Sequence, residues 1–339
     1  MSESKEERVL SQIVAEAGLG RIEEISPLRA HGSARRIYRI FLADGFTVVG
    51  IWNDAHEENA AFIDFARAFL GIGLRVPRIY SPTYPAAYIE TDLGDVTLMD
   101  SLVSARAAGE ISQTVRGHYE RALEDLVVFQ VQGLGVIDPE LCYQGARFDG
   151  DAIELDVRYF QEQYLARSVG AESKHELDAD ICELRQYGEK YLRGFFMYRD
   201  FQSRNIMIRD NEPWYIDFQS GREGPLQYDV ASLLFQSQAD LPYRLREELL
   251  DHYIETLAEF IDFDERDFRN DFYVYVLIRA LQNLGAYGKL GLGQGKKYFR
   301  ESIPFALANC RYLLNKWPET LDCPTLRNRI EKIVENDKS

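Results

Sequence analysis

The sequence is poor in the features that tie a protein to a membrane, a nucleic acid or an oxidising compartment. No run of about eighteen apolar residues occurs in it, which excludes a membrane-spanning helix on hydropathy. Basic charge is scarce: 39 Lys and Arg stand against 55 Asp and Glu, for a net charge of -16. Nucleic acids and anionic membranes are bound through cations that neutralise phosphates, so neither is expected as a main partner. Only four cysteines are present, Cys142, Cys182, Cys310 and Cys323. They form no C-x-x-C pair and have no His at zinc-ligand spacing, so buried thiols in a reducing cytoplasm are expected. The opening MSESKEERVL is charged and has no apolar signal core, which also fits the cytoplasm. Low-complexity tracts and internal repeats are missing. His118, His175 and His252 are isolated, and no Ser-His or Cys-His triad is supported. The glycine-rich run Gly288–Lys297 fails as a P-loop, because residue 290 is Leu and Lys296 is not followed by Ser or Thr. It reads as a flexible interhelical loop. Asp262, Asp264 and Asp267 lack the Gly and terminal Glu of a calcium loop.

What is present is an ordinary globular composition, 46% hydrophobic and 28% charged, over 339 residues, enough for two domains. Its most informative stretch runs from Phe195 to Asp217. Ile206 to Arg209 favour a strand, Asp210 to Pro213 form a turn cluster, and Trp214 to Ile216 favour a second strand. An antiparallel hairpin brings Asn205, before the first strand, beside Asp217, after the second. An amide oxygen and a carboxylate then face one point and suit Mg²⁺, which takes one or two protein oxygens and leaves the rest of its shell to water and phosphates. Asp200, on the loop leading in, is placed to orient or deprotonate a hydroxyl.

Ahead of this stretch, Val9, Leu10, Ile13, Val14 and Ala17 share one face of a helix over about 4–17, stopped by Gly18 and Gly20. Strands follow over 21–30, 36–43 and 46–52, with Asp44-Gly45 turning the second into the third. The small-residue loop His31 to Arg35 between the first two offers backbone N–H groups and the Ser33 hydroxyl to phosphates. Arg78 to Tyr80 and Ala86 to Glu90 read as the last two strands. From Leu98 the pattern is helical, with helices expected over 157–168, 179–192, 228–237, 243–260, 268–285, 303–314 and 325–336.

Arg199-Asp200, four residues, Asn205, a strand-turn-strand and Asp217-Phe218 resembles the catalytic core of the protein-kinase-like phosphotransferases. The continuation from Gly224 to Leu234, GPLQYDVASLL, resembles the aminoglycoside phosphotransferase and choline kinase branch, and within it bacterial sugar kinases that act on N-acetylmuramate and N-acetylglucosamine. The resemblance implies an α+β, protein-kinase-like bilobal fold: an N-lobe of antiparallel sheet plus helix over 1–93 and a mainly helical C-lobe over 94–339. It implies transfer of the ATP γ-phosphoryl group to a hydroxyl of a small metabolite, with ATP and Mg²⁺ as cofactors. In that scheme Asp200 takes the proton, Asn205 and Asp217 hold the metal, and Asp229 supports the catalytic loop by accepting backbone hydrogen bonds. Glu90 and Asp92 border the segment whose backbone would hydrogen-bond adenine, and Ser33 covers the phosphates.

The sequence departs from the family pattern at three places. Tyr198 stands where the family has His, and Gln219 where it has Gly. The third-strand Lys that holds the phosphates and pairs with a helix Glu is missing, since 46–56 contains no Lys. Arg36, or failing that Arg35 or Arg39, is expected to replace it, with Glu58 the first acidic partner in the following helix. Arg222 reads by default as a surface-loop residue, with contact to substrate or product phosphate the alternative. The acceptor stays open between an amino sugar, favoured by the resemblance, and an aminoglycoside, choline or amino-acid-derived alcohol. A nucleotide-binding module without turnover is the remaining alternative, motivated by the missing Lys.

Overall fold

The computed structural model describes residues 4–28, 35–80, 85–170, 173–190 and 194–337. Two compact units divide the chain. One comprises Met1–His118, Gly135–Ala146 and Arg204–Gly221; the other comprises Tyr119–Leu134, Arg147–Ser203 and Arg222–Ser339. The first unit thus extends beyond residue 93 and takes in the hairpin, which the sequence reading grouped with the helical part.

The first unit is built on a four-stranded antiparallel sheet in sequential order, β1 (Ile22–Leu28), β2 (Arg36–Leu42), β3 (Thr47–Trp52) and β4 (Ala87–Thr91). Helix α1 (Lys5–Glu16) opens on a capping box, in which Ser4 and Glu7 satisfy each other's backbone N–H groups. Its Leu10, Ile13 and Val14 pack on Ile40, Val48 and Ile89 of one sheet face. Each of these fully buried aliphatic side chains contributes about 1.5–3 kcal/mol. Gly50 makes the close approach possible, because a Cβ there would meet Leu10 at 2.9 Å. Alternation along the strands puts Arg39, Val49 and Glu90, paired across three strands, on the opposite face. Helix α2 (His56–Gly71) lies on that side, with Phe62 stacked on Tyr88 at 5.4 Å between ring centroids. Helices α3 (Leu98–Ala107) and α4 (Gln113–Gln132) follow, and the division between units falls within α4. The expected strand over 78–80 is a single bridge from Ile79 to Glu90, fixed by two backbone bonds beyond Pro77. Among the described residues the sheet therefore has four strands, not five.

The second unit is mostly helical, as expected. Helix α5 (Gly150–Phe160) is capped by Asp149 and starts earlier than the sequence pattern indicated. It passes through a π turn, Gln161–Leu165, into the short α6 (Ala166–Ser168), and α7 (Asp178–Lys190) follows. The strand pair Phe196–Met197 and Arg222–Glu223 brackets the catalytic-loop sequence in this unit. Then come α8 (Leu226–Leu234), α9 (Tyr243–Ala258), α10 (Glu265–Tyr287), α11 (Lys297–Glu301), α12 (Ile303–Asn315) and α13 (Pro324–Asn336). The long α10 packs against α5, α8 and α12 and forms the spine of the unit.

The glycine-rich run after α10 is a loop only over 294–296. Gly288–Gly293 forms a π turn that prolongs the helix. Its glycines serve packing: a Cβ on Gly288 would lie 2.2 Å from the Gln163 carbonyl oxygen, and one on Gly291 would lie 2.8 Å from the Arg300 nitrogen. Of the four cysteines, Cys142, Cys310 and Cys323 are buried as expected, whereas Cys182 is exposed on α7; none of the four forms a disulfide. Among the described residues no helix is long and apolar enough to cross a membrane.

Candidate active site

In the first unit the hairpin is tighter than its composition indicated. Its strands are Ile206–Arg209 and Glu212–Tyr215, so Glu212 and Pro213 belong to the second strand and the turn is only Asp210-Asn211. Both turn residues have positive φ, 54° and 62°, the mirror-image turn that matches strand twist. Below it, Ile216 N–H donates to the Asn205 carbonyl at 3.1 Å and closes the base of the hairpin. Phe218 anchors the following segment, stacking on Phe62 at 4.6 Å and meeting Phe69 edge-on at 5.4 Å. Asp217 sits between these fixed points with φ 70°, a left-handed conformation unusual for a residue other than Gly.

The side chains of Asn205 and Asp217 meet, with Asn205 Nδ2 donating to Asp217 Oδ2 at 3.2 Å. The other carboxylate oxygen accepts from Gln219 Nε2 at 2.9 Å and from Arg35 Nη1 at 3.4 Å. Gln219, in the place of the family's Gly, also donates to Glu58 Oε1 at 3.2 Å. Arg35 Nη2 forms an ion pair with Glu58. Glu58 accepts as well from Asn53 Nδ2, just past the end of β3, at 3.0 Å. These contacts correct one expectation. Arg36 pairs with Glu6 of α1 and lies over the Trp52 ring, with half of its side chain exposed. Successive strand residues face opposite sides, so the neighbouring Arg35 is the one that reaches the Glu58 and Asp217 face. Arg39 is engaged elsewhere, in a fork to Asp92 at 2.7 and 3.1 Å and to Asp95 at 2.9 and 3.1 Å.

The donor set of this arrangement suits a divalent cation. Asn205 and Asp217 offer hard oxygens at adjacent points, and among the described residues no cluster of three or more His, Cys, Asp or Glu could enclose a metal. The residues fit an ion such as Mg²⁺ that completes its shell with water and phosphate oxygens.

Asp92 and Glu90 differ in state. Burial opposes the Asp92 charge, but the Arg39 fork and the Gly94 N–H outweigh it and lower its pKa. The Asp92 carboxylate is therefore committed to Arg39. Burial raises Glu90 to about 8, against the pull of Arg35 and with the help of Asp92, and its Oε2 has no hydrogen-bond partner among the described residues. A raised pKa in the fold favours the neutral acid. The associated stability is complete below the ordinary carboxylate value and is lost as pH rises through about 8. The Tm of the native protein is therefore expected to fall more steeply between about pH 5 and pH 8 than that of Glu90→Gln; parallel declines would contradict this. Ser33, the expected phosphate-loop hydroxyl, lies outside the described residues.

In the second unit the loop around Asp200 is held by its backbone. Asp229, at the first turn of α8 and fully buried, accepts from Tyr198 N–H and Arg199 N–H, each at 2.8 Å, and from Gln130 Nε2 at 3.3 Å. Burial pushes its pKa up to about 7 against those donors. Arg199 has φ 75°, stabilised by its ion pair with Asp156 at 3.4 Å and by stacking over Phe148. Tyr198, in place of the family's His, is fully buried, edge-on to Phe129 and Phe201 at 5.3 and 5.1 Å. Ser203, at the far end of the loop, is bound through N–H and Oγ to Gln236 at 2.9 and 2.6 Å. Asp200 accepts from Arg279 Nη2 at 3.1 Å. Arg222 is buried, contrary to the surface-loop reading, because it lies on the strand paired with Phe196–Met197.

A model of the phosphotransferase enzyme family matches residues 24–268, a span that contains Arg35, Glu58, Asp200, Asn205, Asp217 and Asp229. The chain belongs to the phosphotransferase enzyme family. This phosphotransferase is 28% identical over 230 residues to an N-acetylmuramate/N-acetylglucosamine kinase of Pseudomonas aeruginosa, the match covering 66% of this chain and 64% of that one, less than two thirds of the relative's length. It is 23% identical over 304 residues to an N-acetylmuramate/N-acetylglucosamine kinase of Neisseria meningitidis serogroup B, covering 86% and 85% of the two chains. A choline/ethanolamine kinase family protein of Mesorhizobium loti shares the fold, with a TM-score of 0.59 at 15% identity over 96% of this chain and 98% of that one.

The sequence reading missed two groups of this phosphotransferase. Gln219 was noted only as a departure, and its amide bridges Glu58 and Asp217. Arg279 carried no signal, because an Arg within a helical pattern reads as solvated unless its burial is known.

Proposed function

We propose that this phosphotransferase moves the γ-phosphoryl group of ATP to a hydroxyl of an amino sugar. The observation that carries the proposal is the joining of Asn205, Asp217, Arg35 and Glu58 by direct contacts at the base of the hairpin. A carboxylate and an amide for a metal, beside a guanidinium ion-paired to a helix Glu, are the parts that phosphoryl transfer uses to bind and neutralise phosphates. In this reading Asn205 and Asp217 hold Mg²⁺, which when bound would neutralise phosphate charge. Arg35 binds phosphate oxygens in place of the missing Lys, and Glu58 and Gln219 fix its direction. Because the Asp92 carboxylate is taken by Arg39, the segment from Glu90 to Asp92 would meet the base through its backbone. Asp200 orients the acceptor hydroxyl and takes its proton, and Asp229 keeps the loop that carries it in place.

The amino sugar acceptor is supported by the names of the two sugar kinase relatives. The alternative of a nucleotide-binding module was motivated by the missing Lys, and the pairing of Arg35 with Glu58 supports the reading in which Arg35 takes its place. Arg35→Ala is expected to raise the KM for ATP about 10-fold to 100-fold, on the scale of a lost charge-assisted contact, while Arg36→Ala changes it less than about twofold. Steady-state kinetics at saturating acceptor measures both. An ATP dependence that follows Arg36 and not Arg35 would refute the assignment. The acceptor itself is tested by ADP release across amino sugars, aminoglycosides, choline and homoserine.

A further inference from the structure

We propose that Arg279 of α10 is a positioning residue for phosphoryl transfer: it holds one oxygen of the Asp200 carboxylate and thereby presents the other to the acceptor hydroxyl. The proposal rests on the reading of Asp200 as proton acceptor. Arg279 is almost wholly enclosed, with 3% of its side chain exposed, whereas Asp200 keeps 31% exposed. Nη2 donates to Asp200 Oδ1 at 3.1 Å. The rest of the guanidinium is fixed in turn. Nε donates to Ser232 Oγ at 3.1 Å, and Nη1 donates to Tyr228 OH at 3.3 Å and to Gln282 Oε1 at 2.8 Å. The Tyr228 ring lies beneath it, 5.5 Å from its centroid to the guanidinium carbon.

A buried ion pair is a poor device for stability alone, because desolvation offsets most of its attraction. Its value here is geometric. An Asp side chain on a loop can rotate about its terminal bond, and a planar fork locked by three other polar groups stops that rotation. In the reaction the acceptor O–H bond breaks as its oxygen bonds phosphorus, and the bond from phosphorus to the ADP oxygen breaks. The proton passes to the Asp200 oxygen that Arg279 does not hold. Arg279 touches neither substrate in this account and acts through Asp200.

The experiment compares Arg279→Gln, Arg279→Lys and Asp200→Asn by steady-state kinetics in both substrates, with circular dichroism to confirm folding. Arg279→Gln is expected to lower kcat about 100-fold, the cost of misplacing a catalytic group by about 1 Å, with each KM within twofold of native. Arg279→Lys, which keeps the charge without the fork, recovers part of the loss. Added to Asp200→Asn, Arg279→Gln costs less than about twofold more, because both act on one step. A kcat within threefold of native in Arg279→Gln, with Asp200→Asn inactive, overturns the proposal and leaves the Asp200 reading standing. So does a full additional loss in the double variant. An active Asp200→Asn overturns the Asp200 reading itself. Should the Arg279 variants fail to fold, Tyr228→Phe and Ser232→Ala decide. Each removes one support of the guanidinium and is expected to lower kcat about threefold to tenfold at unchanged KM, on the scale of one hydrogen bond. Native kcat in both overturns the proposal.

Discussion

Asp200→Asn is expected to lower kcat by about two to four orders of magnitude, the usual contribution of a positioned general base, with little change in the KM for ATP. The substitution is nearly isosteric, and the amide oxygen still accepts from Arg279. The loop does not depend on the Asp200 charge for its shape. Asp229 holds the backbone of Tyr198 and Arg199, Gln236 holds Ser203, and Tyr198 is enclosed by aromatic rings. What is lost, under the proposed function, is the proton acceptor. Steady-state ADP release, with Tm measured alongside, checks the outcome. A folded variant with kcat within tenfold of native would show that the acceptor hydroxyl loses its proton elsewhere.

Asp217→Ala is expected to lower kcat by about three orders of magnitude and to abolish the enhancement of nucleotide binding by Mg²⁺, because charge stabilisation around the phosphates is usually the largest catalytic contribution. The change does more than remove an oxygen ligand. Arg35 and Gln219 each lose the Asp217 acceptor and keep Glu58, so the guanidinium is left pointing with one constraint fewer. Phe218 remains stacked on Phe62, which keeps the segment in place. Calorimetric titration of nucleotide with and without Mg²⁺ separates metal binding from turnover. Metal-dependent nucleotide binding that persists in Asp217→Ala would remove the residue from the metal site.

The parts of this account legible in the sequence are those set by local chemistry. The hairpin followed from β-favouring residues around a turn cluster, and its closure put Asn205 beside Asp217. The opening helix and the first three strands followed from period and turn residues. Errors arose where one residue of register or a distant partner decides. Arg35 and Arg36 are neighbours in sequence and face opposite sides of a strand, and the Asp217 that Arg35 meets lies far along the chain. Pro213 read as a turn residue, yet Asp210 and Asn211 alone make the turn. Glycine in Gly288–Gly293 suggested flexibility, but the contacts that a Cβ would make show close helix packing. Arg222 read as a surface-loop cation and Arg279 carried no signal, and only their burial sets them apart.

The measurement that tests the central claim most directly is ADP release from Mg-ATP by the native protein with N-acetylmuramate and N-acetylglucosamine, against choline, an aminoglycoside and homoserine, with Asp200→Ala as the control. The account predicts turnover with an amino sugar, formation of a phosphorylated sugar in equal amount to ADP, and loss of both in the control. Turnover confined to choline, the aminoglycoside or homoserine would contradict the proposed acceptor, and amino sugar turnover that survives Asp200→Ala would contradict the proposed chemistry.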